Sequence, residues 1–187
     1  VSLSSAAWVI IAELLALGST VFLAAKLGDR FGHNNLFVIG VLVTTVGAVS
    51  AGFSQSFVEF IIYRAVQGLG AALVTGNANA ILAWAFPADQ RGRAYAIPIT
   101  SARLGTLVGL VVFAAFLQFI GWRAVFFSFL PLGLIALAVS VPLLRQKEST
   151  VLERGVPMDY VGGILFIGAI ATLILSGVHL HGGEESF

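Results

Sequence analysis

The chain has 187 residues, of which 58% are hydrophobic and only 10% charged, and its mean hydropathy is +0.99. A soluble domain is roughly 45–50% apolar even with glycine counted, so a water-soluble globule is excluded and the chain belongs in a bilayer. The net charge of +1 says little as a total, and the absence of cysteine excludes disulfides, thiolate metal sites and thiol catalysis.

Crossing the hydrocarbon as a helix takes about 20 mostly apolar residues at about 1.5 Å each. Six stretches qualify: Ser5 to Ala25, Leu36 to Phe53, Val58 to Phe86, Ala94 to Ile120, Ala124 to Leu144 and Tyr160 to Val178. The first carries an acid, Glu13, with Ala16, Thr20 and Ala24 on its side. It leads into KLGDRFG, Lys26 to Gly32, where Gly28 and Gly32 permit a sharp turn around Asp29 and Arg30.

The third span carries Arg64. At about 100° per residue Gln67, Gly68, Ala71, Thr75 and Asn79 share its side of the helix, while Asn77 points away and reads as a helix-packing hydrogen bonder. An arginine at bilayer depth costs about 2.5–3.5 kcal/mol, so it calls for a cavity or a partner. Counted from the same membrane face, Glu13 and Arg64 both lie roughly 10–12 Å deep. A carboxylate there is pushed toward neutrality by desolvation and toward ionisation by a nearby cation, so such a pair suits proton exchange. The plainer readings are a static ion pair and, for Arg64, a structural tie between helices.

The fourth span carries Arg103, a cationic lining suited to anionic or zwitterionic substrates. Gly105 and Gly109 fall more than about 100° away from it and read as a helix-packing seam. The connections at 54 to 56, 87 to 92 and Gly121 are short. The stretch 145–158 is long, mixes both charge signs and contains Pro157, and Asp159 then opens the last span near a helix N-terminus.

Seven basic residues, Lys26, Arg30, Arg91, Arg93, Arg145, Lys147 and Arg154, fall in alternate connections on one side, against Arg123 on the other. The positive-inside rule makes the first side cytoplasmic and starts the first span outside. With Val1 at the start and no signal peptide, the chain reads as a fragment lacking a preceding helix.

The KLGDRFG loop resembles the G-x-x-x-D-R-x-G signature of the major facilitator superfamily, with Ala25 at the first glycine and His33 and Asn34 at the basic pair that follows. YRAVQGLGAA, Tyr63 to Ala72, resembles the R-x-x-Q-G-x-G-A-A element of that family's drug and proton antiporters. PADQRGRA resembles the turn that follows it. GWRAVFFSFLPLG, with Ser128 for asparagine, and Asp159, Tyr160 and Gly162 resemble elements of the fourteen-helix drug-export branch. GTLVG, Gly105 to Gly109, resembles a degraded G-P-x-x-G with Thr106 for proline.

The resemblance implies an all-α polytopic membrane protein, a partial major-facilitator-type helix bundle covering the second to seventh helices. Residues 1–144 form most of the N-terminal half, 145–158 a cytoplasmic loop, and 159–187 the next helix and the start of an external loop. It implies a multi-pass plasma (inner) membrane protein performing proton-coupled, multidrug-type efflux of small organic compounds. Its partners are substrate, protons, lipid and the missing remainder of the transporter. Glu13, Arg64, Gln67, Arg103, Thr75 and Asn79 are the coupling and cavity candidates. Gly28, Asp29, Arg30 and Gly32 are the gating loop, Asp29 reaching a helix N-terminus of the other half, or else a turn that only sets topology. Gly68, Gly105 and Gly109 are packing positions.

A facilitator or importer of an anionic metabolite, and a non-transporting protein derived from a transporter, are the rival readings. No nucleophile with a base and no clustered metal ligands point to an enzyme; HisLeuHis at 179 to 181 reads as loop. No cofactor, metal or nucleic acid is expected.

Overall fold

The structure is a computed structural model that describes residues 3–142, with side chains from Ile10 onward, and residues 165, 168, 169 and 172. Its helices are α1 Leu3–Phe31, α2 His33–Phe53, α3 Phe57–Ala85, α4 Arg91–Phe119, α5 Trp122–Phe127 and α6 Phe129–Ser140. They make five candidate membrane spans among the described residues, with α5 and α6 together forming the fifth. The expected loop 145–158 and nearly all of the sixth span lie outside the described residues.

Large apolar side chains point outward, with Phe22 54%, Val46 53%, Val111 70% and Val139 73% exposed. The buried positions are mostly small or polar, among them Ala24, Ala48, Ala51 and Ala72, with Ser19, Thr45, Gln67 and Asn77. This arrangement suits lipid, where helices gain little from burying leucine and associate through close backbone approach and hydrogen bonds. The buried hydroxyls of Ser19 and Thr45 are satisfied within their own helices, Ser19 Oγ donating to the Leu15 carbonyl at 2.6 Å and Thr45 Oγ1 to that of Val41 at 2.7 Å.

Helix α3 is central, packed on α1 along one side and α2 along another. Gly68 faces the Glu13 carbonyl and Ala16 Cβ of α1, whereas Gly70 faces the Thr44 backbone of α2. A side chain at either glycine would push a neighbouring backbone away. A capping box starts α3: Glu59 N donates to Ser56 Oγ at 3.2 Å, and Glu59 Oε2 accepts from Ser56 N at 3.4 Å and Gln55 N at 2.9 Å.

Three sequence expectations change. The KLGDRFG turn narrows to one residue, Gly32, at φ 94°, where a Cβ is disfavoured. Gly28 is instead helical, and a Cβ on it would collide with Asn77 Oδ1 and the His33 ring. The fifth span, expected to be continuous from Ala124 to Leu144, starts at Trp122 and is interrupted at Ser128. Pro131 has no N–H to offer the Phe127 carbonyl four residues back, and Ser128 Oγ donates to the Val125 carbonyl at 2.6 Å, which together loosen that turn. Gly105 and Gly109, read as a packing seam, have nothing within 4 Å of where a Cβ would sit among the described residues, because α4 runs along the outside and touches α3 and α5 only locally.

Candidate functional site

The contact of Gly68 with the Glu13 backbone brings α1 against α3 one turn from Arg64, which then reaches the Glu13 carboxylate directly. Arg64 Nη2 donates to Glu13 Oε2, and its Nη1 donates to Gln67 Oε1 at 2.8 Å. The two charged side chains are 12% and 25% exposed, Arg64 being the more enclosed. Gln67 is 2% exposed, its backbone pressed against Gly47 of α2. Carboxylate, guanidinium and amide thus form a chain of charge-assisted hydrogen bonds running from α1 to the α2 contact.

An aromatic cluster closes one side of this chain. The Arg64 guanidinium lies 5.8 Å from the Phe126 ring centroid, and Phe60 meets Phe126 and Trp122 edge-on at 5.2 and 5.5 Å. Arg123 stacks 4.5 Å over Trp122 and donates to the Ser54 carbonyl at 3.0 Å, tying α5 to the start of the α2–α3 turn. Apolar walls weaken solvent screening, so the pair interacts more strongly than it would in water.

The other coupling candidates lie apart. Thr75 and Asn79 are exposed further along α3, with the Asn79 carbonyl accepting from Tyr95 Oη at 3.3 Å. Arg103 is exposed on α4 and joins no ion pair among the described residues.

At the loop end of the bundle Asp29 is 53% exposed, and its Oδ1 lies 3.3 Å from His33 Nε2. Arg30 lies over the Phe31 ring at 5.6 Å. Asn77, fully buried, is 2.8 Å from His33 Nδ1 and donates to the Ala24 and Leu73 carbonyls at 3.2 and 2.8 Å. Sequence reasoning assigned Asn77 to packing, and left out Phe126 and the burial of His33, which is 7% exposed. An i, i+4 pairing of Asp29 with His33 was the one available signal for the latter.

Comparison with known proteins follows the same lines. The sequence profile of the Major Facilitator Superfamily matches residues 1–177. Over 187 residues the chain is 28% identical to the riboflavin transporter RibZ of Clostridioides difficile, covering 100% of this chain and 40% of that protein. It is 32% identical over 173 residues to the tetracenomycin C resistance and export protein of Streptomyces glaucescens, covering 92% of this chain and 32% of the other. It is likewise 32% identical over 168 residues to the multidrug resistance protein Stp of Mycobacterium tuberculosis, covering 89% and 31%. The fold resembles the inward-open xylose transporter XylE of E. coli with a TM-score of 0.66 at 20% identity, over 90% of this chain and 45% of that one. The chain therefore spans about a third to two fifths of the length of these curated relatives.

Proposed function

The chain belongs to the Major Facilitator Superfamily, as a multi-pass integral protein of the plasma membrane, and we propose that the transporter it is part of exports small organic compounds in exchange for protons. The observation that carries this reading is the Glu13–Arg64–Gln67 chain, a carboxylate and a guanidinium paired on two membrane-spanning helices. Glu13 ionised is stabilised by Arg64. Ionised, Glu13 can also hold a cationic or hydrogen-bond-donating group of a substrate entering from the cavity, whereas a proton on the carboxylate removes the charge that holds it. Proton and substrate thereby compete for the same carboxylate, the requirement for exchange.

In this reading residues 1–144 supply most of the N-terminal half, 145–158 the cytoplasmic link and 159–187 the opening of the second half. Asp29 and Arg30 at the Gly32 turn serve as the gate between the halves. Thr75, Asn79 and Arg103 line the path away from the ion pair. Export of an organic compound is supported by the similarity to the tetracenomycin C and multidrug resistance proteins.

The test uses the full-length protein in inside-out vesicles with riboflavin and tetracenomycin C as probes. An imposed proton gradient, acidic inside, should drive uptake of at least one of them, and collapsing the gradient should abolish it. Uptake that ignores the gradient would remove the proton from the mechanism. A facilitator of an anionic metabolite is the second reading, favoured by the exposed cation Arg103 and by the match to the riboflavin transporter along the whole chain. Gradient-independent equilibration of riboflavin 5′-phosphate, an anionic form of that probe, would select it.

A further inference from the structure

His33 is enclosed between two hydrogen-bond acceptors. Its Nδ1 lies 2.8 Å from Asn77 Oδ1, and its Nε2 lies 3.3 Å from Asp29 Oδ1. The orientation of the Asn77 amide is fixed, because its nitrogen already donates to two backbone carbonyls, Ala24 and Leu73. Its oxygen must therefore face the imidazole. A neutral imidazole has one N–H and satisfies one of the two acceptors; the other is left opposite a ring lone pair. An imidazolium donates to both.

The surroundings leave Asp29 as the charge that decides the balance. From α1 the groups at the ring are Asp29 and the Gly28 backbone, and from α3 the neutral Asn77. The neighbouring cations Lys26 and Arg30 lie over the Phe22 and Phe31 rings at 6.0 and 5.6 Å. Because Gly32 is the sole residue between α1 and α2, a hold on Asp29 from His33 is a hold on the end of α1.

We propose that His33 is a positioning residue for Asp29, a proton-dependent latch that fastens the end of α1 to α2 and α3 when the imidazole is doubly protonated. Loss of that proton leaves an acceptor facing a lone pair, and the Asp29 carboxylate swings free of the bundle. The latch closes when a proton reaches His33, so it responds to acidification of the compartment this loop faces. Its consequence for transport rests on the gating role proposed for Asp29, whereas the latch itself does not.

The experiment separates the two. Amide hydrogen exchange of residues 26–36 is measured in the full-length protein in nanodiscs between about pH 5.5 and about pH 7.5, corrected for the intrinsic pH dependence of exchange. Protection should fall by about tenfold across that range in the wild type, the effect of one hydrogen bond made or lost. It should stay level in His33→Arg, whose charge is permanent, and in Asp29→Asn, which lacks the carboxylate. A wild-type stretch with level protection overturns the latch, as does a fall of equal size in His33→Arg. If protection behaves as expected while wild type and His33→Arg show the same pH profile of transport, the latch stands and the gating role of Asp29 is refuted.

Discussion

Removing Arg64 tests the coupling between α1 and α3 most sharply. Arg64→Ala leaves the Glu13 carboxylate, 25% exposed, without its counter-charge and leaves the buried Gln67 oxygen without its donor. Breaking a buried pair costs about 3–5 kcal/mol; the partial exposure of Glu13 puts its share near the lower end, and the lost Gln67 bond and cation–π contact bring the total to about 4 kcal/mol. Glu13→Gln keeps an acceptor for the guanidinium but leaves its charge without a counter-charge, and should cost about 2–3 kcal/mol. In the double variant no charge is stranded, so the two losses should fall short of additive by about 2 kcal/mol. The assay is reversible unfolding of the full-length protein in bicelles, comparing the four variants of the cycle. Additivity within about 0.5 kcal/mol would mean that Glu13 and Arg64 do not depend on one another, and the site as described would be wrong.

Two further outcomes are expected. Gly68→Ala should destabilise by about 1–3 kcal/mol in the same unfolding assay, because the new Cβ meets the Glu13 carbonyl and Ala16, while Gly92→Ala, with nothing within 4 Å, should stay within about 0.5 kcal/mol. Single cysteines at Gln90 and Gln55 should differ in intact cells, the latter reacting with an impermeant thiol reagent and the former shielded; labelling of Gln90 from outside would invert the topology.

The first five membrane spans were legible because their signal is composition over about 20 residues, which no tertiary contact overrides. Arg64 and Gln67 were legible as one face because helical spacing alone puts them there, and Glu13 joined them through depth counted along two helices. Ser128 was not recognised as a break, although Pro131 three residues on removes the N–H that would carry the helix through. Gly28 and Gly32 look alike in a loop motif; only the packing shows that one makes the turn and the other makes room for Asn77 and His33. For the same reason the burial of His33 was not legible: it depends on Gly28, five residues earlier, and on Asn77, 44 residues away. Phe126 lies over Arg64 through a contact between α5 and α3 that no local pattern encodes. The Gly105 and Gly109 seam follows from spacing, but spacing does not say whether a partner helix is present.

Proton-coupled export through Glu13 is tested most directly by transport in proteoliposomes of the full-length protein carrying Glu13→Gln. The substitution holds position 13 neutral while keeping its shape, so uptake driven by a pH gradient should be lost, while exchange of substrate across the membrane with no gradient should continue at a rate near that of the wild type. A Glu13→Gln protein that accumulates substrate with an unchanged dependence on the pH gradient would contradict the account and reduce the Glu13–Arg64 pair to a structural tie.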